Sequence, residues 1–85
     1  MSRLKVKVRR KHIENGIFGS ISECPIALAL GDQGYPDARV HSNNASYHDG
    51  AFLVSAQLSR SATRFVRSFD HGRKVKPFNF YLTID

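Results

Sequence analysis

Apolar and polar residues alternate along three segments of this chain, and a period of two is typical of β-strands that bury one face. The first segment covers residues 4–9, with aliphatic side chains at even positions and lysine or arginine at odd positions. The second covers residues 52–58, and the third covers residues 78–84, where the alternation is clearest. Each segment is therefore predicted to be a strand, and the first has a basic outer face.

Two tight-turn pairs divide the middle of the chain. Asn43-Asn44 and Asp49-Gly50 are pairs that favour turns between antiparallel strands. They enclose a very short predicted strand at residues 45–48, and another strand is predicted at residues 38–42. Connections this short imply that the strands form an antiparallel sheet.

Residues 59–71 have the spacing of an amphipathic helix. Its apolar set is Leu58, Ala62, Phe65, Val66 and Phe69, and its cationic set, at i, i+4, i+7 and i+11, is Arg60, Arg64, Arg67 and His71. Ser59 or Ser61 is a suitable N-cap, and Gly72 is a suitable terminator. The pattern predicts a helix that buries one side and exposes a line of positive charge.

A second, mostly buried helix is predicted over the apolar run at residues 26–30. Two starts fit the sequence: Ser22 as the N-cap, or Cys24 as the N-cap with Pro25 in the first helical position. Gly31 or Gly34 would end this helix. The run is also compatible with a strand, but its capping residues favour a helix.

These elements predict the order strand, short helical stub, helix, three strands, helix and strand. One helix is amphipathic and the other is mostly buried, so both are expected to pack on a single face of the sheet. The predicted fold is an α+β two-layer sandwich, with an antiparallel sheet of about four to five strands and two helices on one face. Residues 1–85 are predicted to form a single domain.

Positive charge is concentrated in two segments of the chain. The net charge is +6, from 13 lysines and arginines against 7 acidic residues. Six of the thirteen cations lie in residues 3–11 and six in residues 60–76, whereas residues 12–59 hold only Arg39. If the two segments adjoin in space, the protein has a cationic side suited to an acidic partner.

Composition argues against several protein classes. The longest uninterrupted apolar run has five residues, far below the length of a membrane span. Charged residues occupy the first positions, where a signal peptide needs an apolar region, so we do not expect export. A single cysteine forms no intramolecular disulfide and is typical of a reducing compartment, which predicts a cytoplasmic protein.

The sequence contains no recognisable catalytic constellation. Cys24 lies near a predicted helix N-terminus, which can lower a thiol pKa, so a small thiol enzyme is one hypothesis. The simpler interpretation is that Cys24 is a small buried apolar residue. The four histidines lack metal-ligand spacing, and the glycines form no phosphate-binding motif. We therefore expect no enzyme activity, no metal and no cofactor.

The exposed basic residues are the candidate partner-binding site, because the guanidinium group pairs well with phosphate and carboxylate. The predicted residues are Arg60, Arg64, Arg67, Lys5, Lys7, Arg9, Arg73 and Lys74. Among the aromatic residues, Tyr47 and Tyr81 are the ones expected at the surface, and the phenylalanines are expected in the core.

Three segments resemble a family of small, uncharacterised proteins of bacteriophages, prophages and other bacterial mobile elements. They read H-I-x-x-G at residues 12–16, S-x-C-P-I-A-L-A-L at residues 22–30 and F-V-R-S-F-D-H-G-R-K-V-K-P-F-N-F-Y-L at residues 65–82. The family has no agreed activity to carry over. The resemblance implies a common fold and an accessory role, and small solitary proteins of this kind are often inhibitors of host machinery, including anti-CRISPR proteins.

The leading hypothesis is therefore a phage accessory protein that inhibits a host defence nucleoprotein complex by stoichiometric binding in the bacterial cytoplasm. Its partner would be an acidic protein surface or the nucleic acid of that complex, and no membrane is involved. The protein itself would be a monomer or a weak homodimer. The alternatives are a small regulator that binds nucleic acid directly and a thiol enzyme that uses Cys24.

Overall fold

A computed structural model describes residues 2–84, which form five strands and three helices. In chain order these are β1 (Ser2–Val8), α1 (Arg10–Asn15), α2 (Pro25–Asp32), β2 (Arg39–Val40), β3 (Asn44–Asp49), β4 (Phe52–Gln57), α3 (Arg60–Asp70) and β5 (Phe78–Ile84). The element order and the α+β class match the prediction from the sequence.

The five strands form one antiparallel sheet in the order β1-β5-β4-β3-β2. The last strand therefore lies between the first strand and β4. β1 and β5 pair along their whole length, from Ser2–Ile84 to Val8–Phe78, whereas β4 meets β5 only at Ala56–Ile84 and Gln57–Thr83. The final strand thus joins the N-terminal edge of the sheet to the β2–β3–β4 meander.

One face of the sheet is covered by the helices. Val6 and Val8 of β1 are buried with Phe80 and Leu82 of β5, while the intervening Lys5, Lys7, Asn79 and Tyr81 are exposed. The same core contains Ile26 and Leu30 of α2 together with Ala62, Phe65 and Phe69 of α3. The burial pattern gives a two-layer sandwich with an inner face against the helices and an exposed outer face.

Five phenylalanine rings form a chain of contacts from the loop before α2 to the middle of the sheet. We call Phe18, Phe69, Phe65, Phe78 and Phe80 the phenylalanine stack. Its successive centroid distances are 4.7, 6.3, 4.6 and 5.3 Å, all within the range of favourable aromatic contacts. The stack joins α3 to β5.

The helix boundaries have identifiable local causes. Of the two starts proposed for α2, the structure has the one in which Cys24 is the N-cap and Pro25 is the first helical residue. Gly34 and Gly72 adopt positive φ angles of 95° and 73° just after the caps of α2 and α3. The backbone N–H of Arg73 donates to the carbonyl of Ser68, and that of Gly72 donates to Phe69, which is a Schellman motif.

The predicted strand at residues 38–42 is longer than the observed one. β2 contains only Arg39 and Val40. The backbone N–H of His41 donates to the carbonyl of Asn44 at 2.8 Å, so the turn begins at His41 and the strand ends before it. The pairing of Arg39 with Ser46 and of Val40 with Ala45 still places β2 at the sheet edge.

Hydrogen bonds from outside the sheet occupy part of both its edges. The side-chain carbonyl of Gln33 accepts from the backbone N–H of Lys7, and its amide donates to the carbonyl of Lys5, both at 2.9 Å. At the other edge, the N–H of Val40 donates to the carbonyl of Ile21 at 2.7 Å. Free strand edges promote pairing between chains, so these contacts disfavour self-association.

Replacing Gln33 with leucine should free the outer edge of β1. We expect Gln33→Leu to lower the free energy of unfolding by about 1 kcal/mol, because two partly solvated hydrogen bonds are lost. It should also increase self-association through the freed edge. Urea unfolding and light scattering at increasing concentration measure the two effects. Gln57→Leu, on the outer face of the sheet, is the control for added apolar surface, and equal self-association of both variants would contradict the edge role.

Candidate functional site

The orientation of α3 exposes its arginines. Ser59 caps the helix by accepting a hydrogen bond from the backbone N–H of Ala62 at 3.2 Å. Ala62, Phe65 and Phe69 are buried against the core, whereas the three arginines on the opposite side are exposed. The sequence pattern correctly predicted this division of the helix.

Arg60, Arg64 and Arg67 form a line that we call the α3 ridge. At 1.5 Å per residue, their backbone positions span about 10 Å along the helix. All three arginines border one shallow hollow with Thr63. The ion pairs within residues 2–84 join Lys11 and His12 to Asp32 and His48 to Asp37, so no ridge arginine has a described carboxylate within 4.0 Å.

Lys74 extends the α3 ridge on one side. It lines a second hollow together with Arg64, Ser61 and Ser68. Arg73 is exposed nearby, with its backbone fixed by the Schellman motif after α3. Four of the predicted site residues, Arg60, Arg64, Arg67 and Lys74, are therefore brought together, and Arg73 lies next to Lys74 in the chain.

The cations of β1 lie on the other side of the sheet. Val6 and Val8 point into the core, so alternation directs Lys5 and Lys7 to the outer face of the sheet, although Lys7 also reaches a hollow at the β1 edge that α1 and α2 help to line. Arg9 is the N-cap of α1 and borders a hollow with Lys7. Lys5 and Lys7 thus lie on a different face of the molecule from the α3 ridge, and a contiguous cationic surface of the kind that the charge distribution suggested does not include them.

The aromatic residues differ from expectation at three positions. Tyr81 is exposed as predicted, and the guanidinium carbon of Arg3 lies 5.1 Å from its ring centroid. Tyr47, however, is only 2% exposed and packs edge-on against Tyr35 at 5.0 Å, so its prediction as a surface residue is wrong. Phe18 and Phe52 are exposed, although all phenylalanines were expected in the core.

Cys24 is the buried N-cap of α2. Its side chain is buried, and its Sγ accepts a hydrogen bond from the backbone N–H of Ala27 at 3.5 Å. Burial raises the pKa of the Cys24 thiol, which outweighs the effect of the hydrogen bond. A raised pKa reduces the thiolate fraction at neutral pH and so weakens the case for a nucleophile.

A histidine–aspartate–lysine cluster joins α1 to α2, and the sequence pattern did not predict it. The buried His12 ring accepts a hydrogen bond at Nδ1 from the backbone N–H of Arg9 at 2.9 Å, and its Nε2 lies 2.7 Å from Oδ2 of Asp32. Lys11 Nζ contacts the same oxygen at 2.9 Å. Because Nδ1 accepts from the backbone, the neutral ring carries its proton on Nε2 and donates it to Asp32.

Acid should remove the contribution of Asp32 to stability. The hydrogen bond from Lys11, followed by that from His12, lowers the pKa of Asp32 from 3.8 to about 2. A lowered pKa in the folded state stabilises the protein above the unfolded-state value, and this stabilisation is lost as the pH falls toward the folded-state value. The difference in unfolding free energy between wild type and Asp32→Asn should therefore shrink between about pH 5 and pH 2.

Urea unfolding at several pH values in that range measures this difference. Asp49→Asn is the control, because Asp49 is exposed and makes no ion pair with a described residue. A difference between wild type and Asp32→Asn that stays constant down to pH 2 would show that the carboxylate charge is not what stabilises the α1–α2 contact.

Comparisons with known proteins found no matching family model, curated protein or solved structure. Among residues 2–84 no group of three histidine, cysteine, aspartate or glutamate side chains is placed to hold a metal ion. None of the described helices is long and apolar enough to cross a membrane.

Proposed function

We propose that this chain is a phage or mobile-element accessory protein that inhibits a host defence nucleoprotein complex by binding it. The α3 ridge docks on an acidic protein surface or on the bound nucleic acid of that complex, and so blocks its access to target. The observation that supports this proposal is the presentation of three exposed arginines on one helix with no described acidic partner.

The geometry of the ridge suits the recognition of anions. Arginine presents a planar set of donors that can bind one phosphate or carboxylate through two hydrogen bonds. The phenylalanine stack anchors the α3 backbone, so the helix that carries the three arginines is already in position before a partner binds. Complementary charge speeds association and disfavours basic partners. The separate cations Lys5 and Lys7 contribute to the overall field rather than to the same contact.

Charge reversal on the ridge should remove most binding. We expect Arg64→Glu/Arg67→Glu to lose capture of the nucleoprotein complex from a lysate of a bacterium with an active defence system. Lys5→Glu/Lys7→Glu makes the same change in charge on the outer face of the sheet and should retain capture. Quantitative mass spectrometry of captured proteins, with thermal melting of each variant, measures the outcome. Full capture by the folded ridge variant would remove α3 from the interface, and no capture of a nucleoprotein complex by wild type would contradict the proposal.

Direct binding to nucleic acid is the second candidate, and the same unpaired arginines favour it. A ridge that neutralises about three duplex phosphates gives a slope of log affinity against log salt of about −3. Gel shifts with random DNA and RNA at two salt concentrations measure this slope, and the ridge variant should lower its magnitude. Absence of a shift at low salt would exclude this candidate while leaving the inhibitor proposal intact. Burial raises the pKa of the Cys24 thiol and argues against the thiol-enzyme hypothesis, although Cys24 lines the same hollow as His41 and His71.

A further inference from the structure

A cavity of about 410 Å³ adjoins the α3 ridge. One stripe of α3 forms a wall, with Thr63, Val66, Arg67 and Asp70 at helical spacing, and the loop before α2 faces it. Thr63 and Arg67 border both this cavity and the hollow of the ridge, so the two features are adjacent. The volume lies within the range of sites that enclose a ligand or an anchoring side chain.

The cavity combines an apolar wall with cationic and donor groups. Ile21, Val40 and Val66 supply aliphatic surface, while Arg67, His41 and His71 supply a positive charge and two imidazoles. Asp70 is the single acidic group in the lining, and its Oδ1 already accepts a hydrogen bond from the backbone N–H of Gly19 at 3.0 Å. An occupant with an apolar body and nearby negative charge therefore matches this site.

Large apolar side chains are also exposed next to the cavity. Ile17, Phe18 and Ile21 are 50%, 61% and 39% exposed, and all three belong to the loop that borders the cavity. This loop is held on several sides: Ile17 donates to the carbonyl of Glu23 at 2.9 Å, Ile21 accepts from Val40, and Phe18 packs on Phe69. Fixed loops lose little entropy on binding, so this surface is already organised for a partner.

We infer that the partner of this protein is itself a protein, and that it inserts a large apolar side chain flanked by carboxylates into this cavity. An apolar centre surrounded by charged groups is the usual arrangement of a protein–protein contact. A phosphate backbone would match Arg67 and the imidazoles of His41 and His71, but it would not cover the aliphatic wall of Ile21, Val40 and Val66. Phosphates would also leave the exposed isoleucines without a partner. The inference rests on the proposed binding function and specifies its partner.

A peptide selection tests this assignment. A random peptide library displayed on ribosomes is selected on immobilised wild-type protein, and the affinity of an enriched synthetic peptide is measured by fluorescence polarisation. We expect enrichment of sequences with a large apolar residue next to aspartate or glutamate. Ile21→Glu and Arg67→Glu should each weaken binding by about tenfold or more. Leu53→Glu is the matched control, since Leu53 is 65% exposed on β4 and lies outside the cavity lining.

The Ile21→Glu result bears on the cavity separately from the ridge, because Ile21 lines only the cavity whereas Arg67 borders both. The assignment of the cavity is overturned if such peptides are not enriched, or if the enriched peptides are acidic but lack an apolar anchor. The proposed function is still decided by the capture experiment with the ridge variant. An oligonucleotide that binds wild type and loses binding in Ile21→Glu would show that the cavity takes a base, which also overturns the inference. Thermal melting of the three variants excludes unfolding as the cause of lost binding.

Discussion

The phenylalanine stack is the contact on which the arrangement of the candidate surface depends. Phe65 and Phe69 of α3 meet Phe78 on one side and Phe18 on the other, with centroid distances of 4.6 and 4.7 Å. These contacts hold the apolar side of α3 against the core, which leaves Arg64 and its neighbours facing solvent. The same rings position the loop that contains Phe18 beside the C-terminal half of α3. The same aromatic contacts therefore determine the positions of the ridge, the cavity and the exposed loop.

The sheet places Lys5 and Lys7 on a different face of the molecule from the α3 ridge. Alternation along β1 directs Val6 and Val8 inward, and it therefore directs Lys5 and Lys7 to the face that the helices leave uncovered. α3 lies on the inner face, so its arginines belong to the other layer of the molecule. A net charge of +6 is consequently spread over two sides, and a partner that binds the ridge need not contact β1.

Side-chain and backbone contacts at the sheet edges disfavour pairing of the edge strands with another copy of the chain. The side chain of Gln33 forms hydrogen bonds with the backbone of Lys5 and Lys7. Gln33 is held in this position because it is the C-cap of α2. α2 is in turn joined to α1 by the contact between Asp32 and His12. At the opposite edge, the loop that borders the cavity bonds to Val40 through Ile21. The segments around α2 therefore protect both edges, and one of them also shapes the proposed binding site.

Local patterns in the sequence determined the α+β class, the order of elements and the exposed face of α3. These properties depend on periods of two and 3.6 residues and on caps such as Ser59 and Gly72, which act over a few neighbouring positions. The burial of Tyr47, the pairing of His12 with Asp32 and the cavity beside Arg67 depend on segments far apart in the chain. Only tertiary packing decided them, because periodicity shows which side of an element is buried but not which other element covers it.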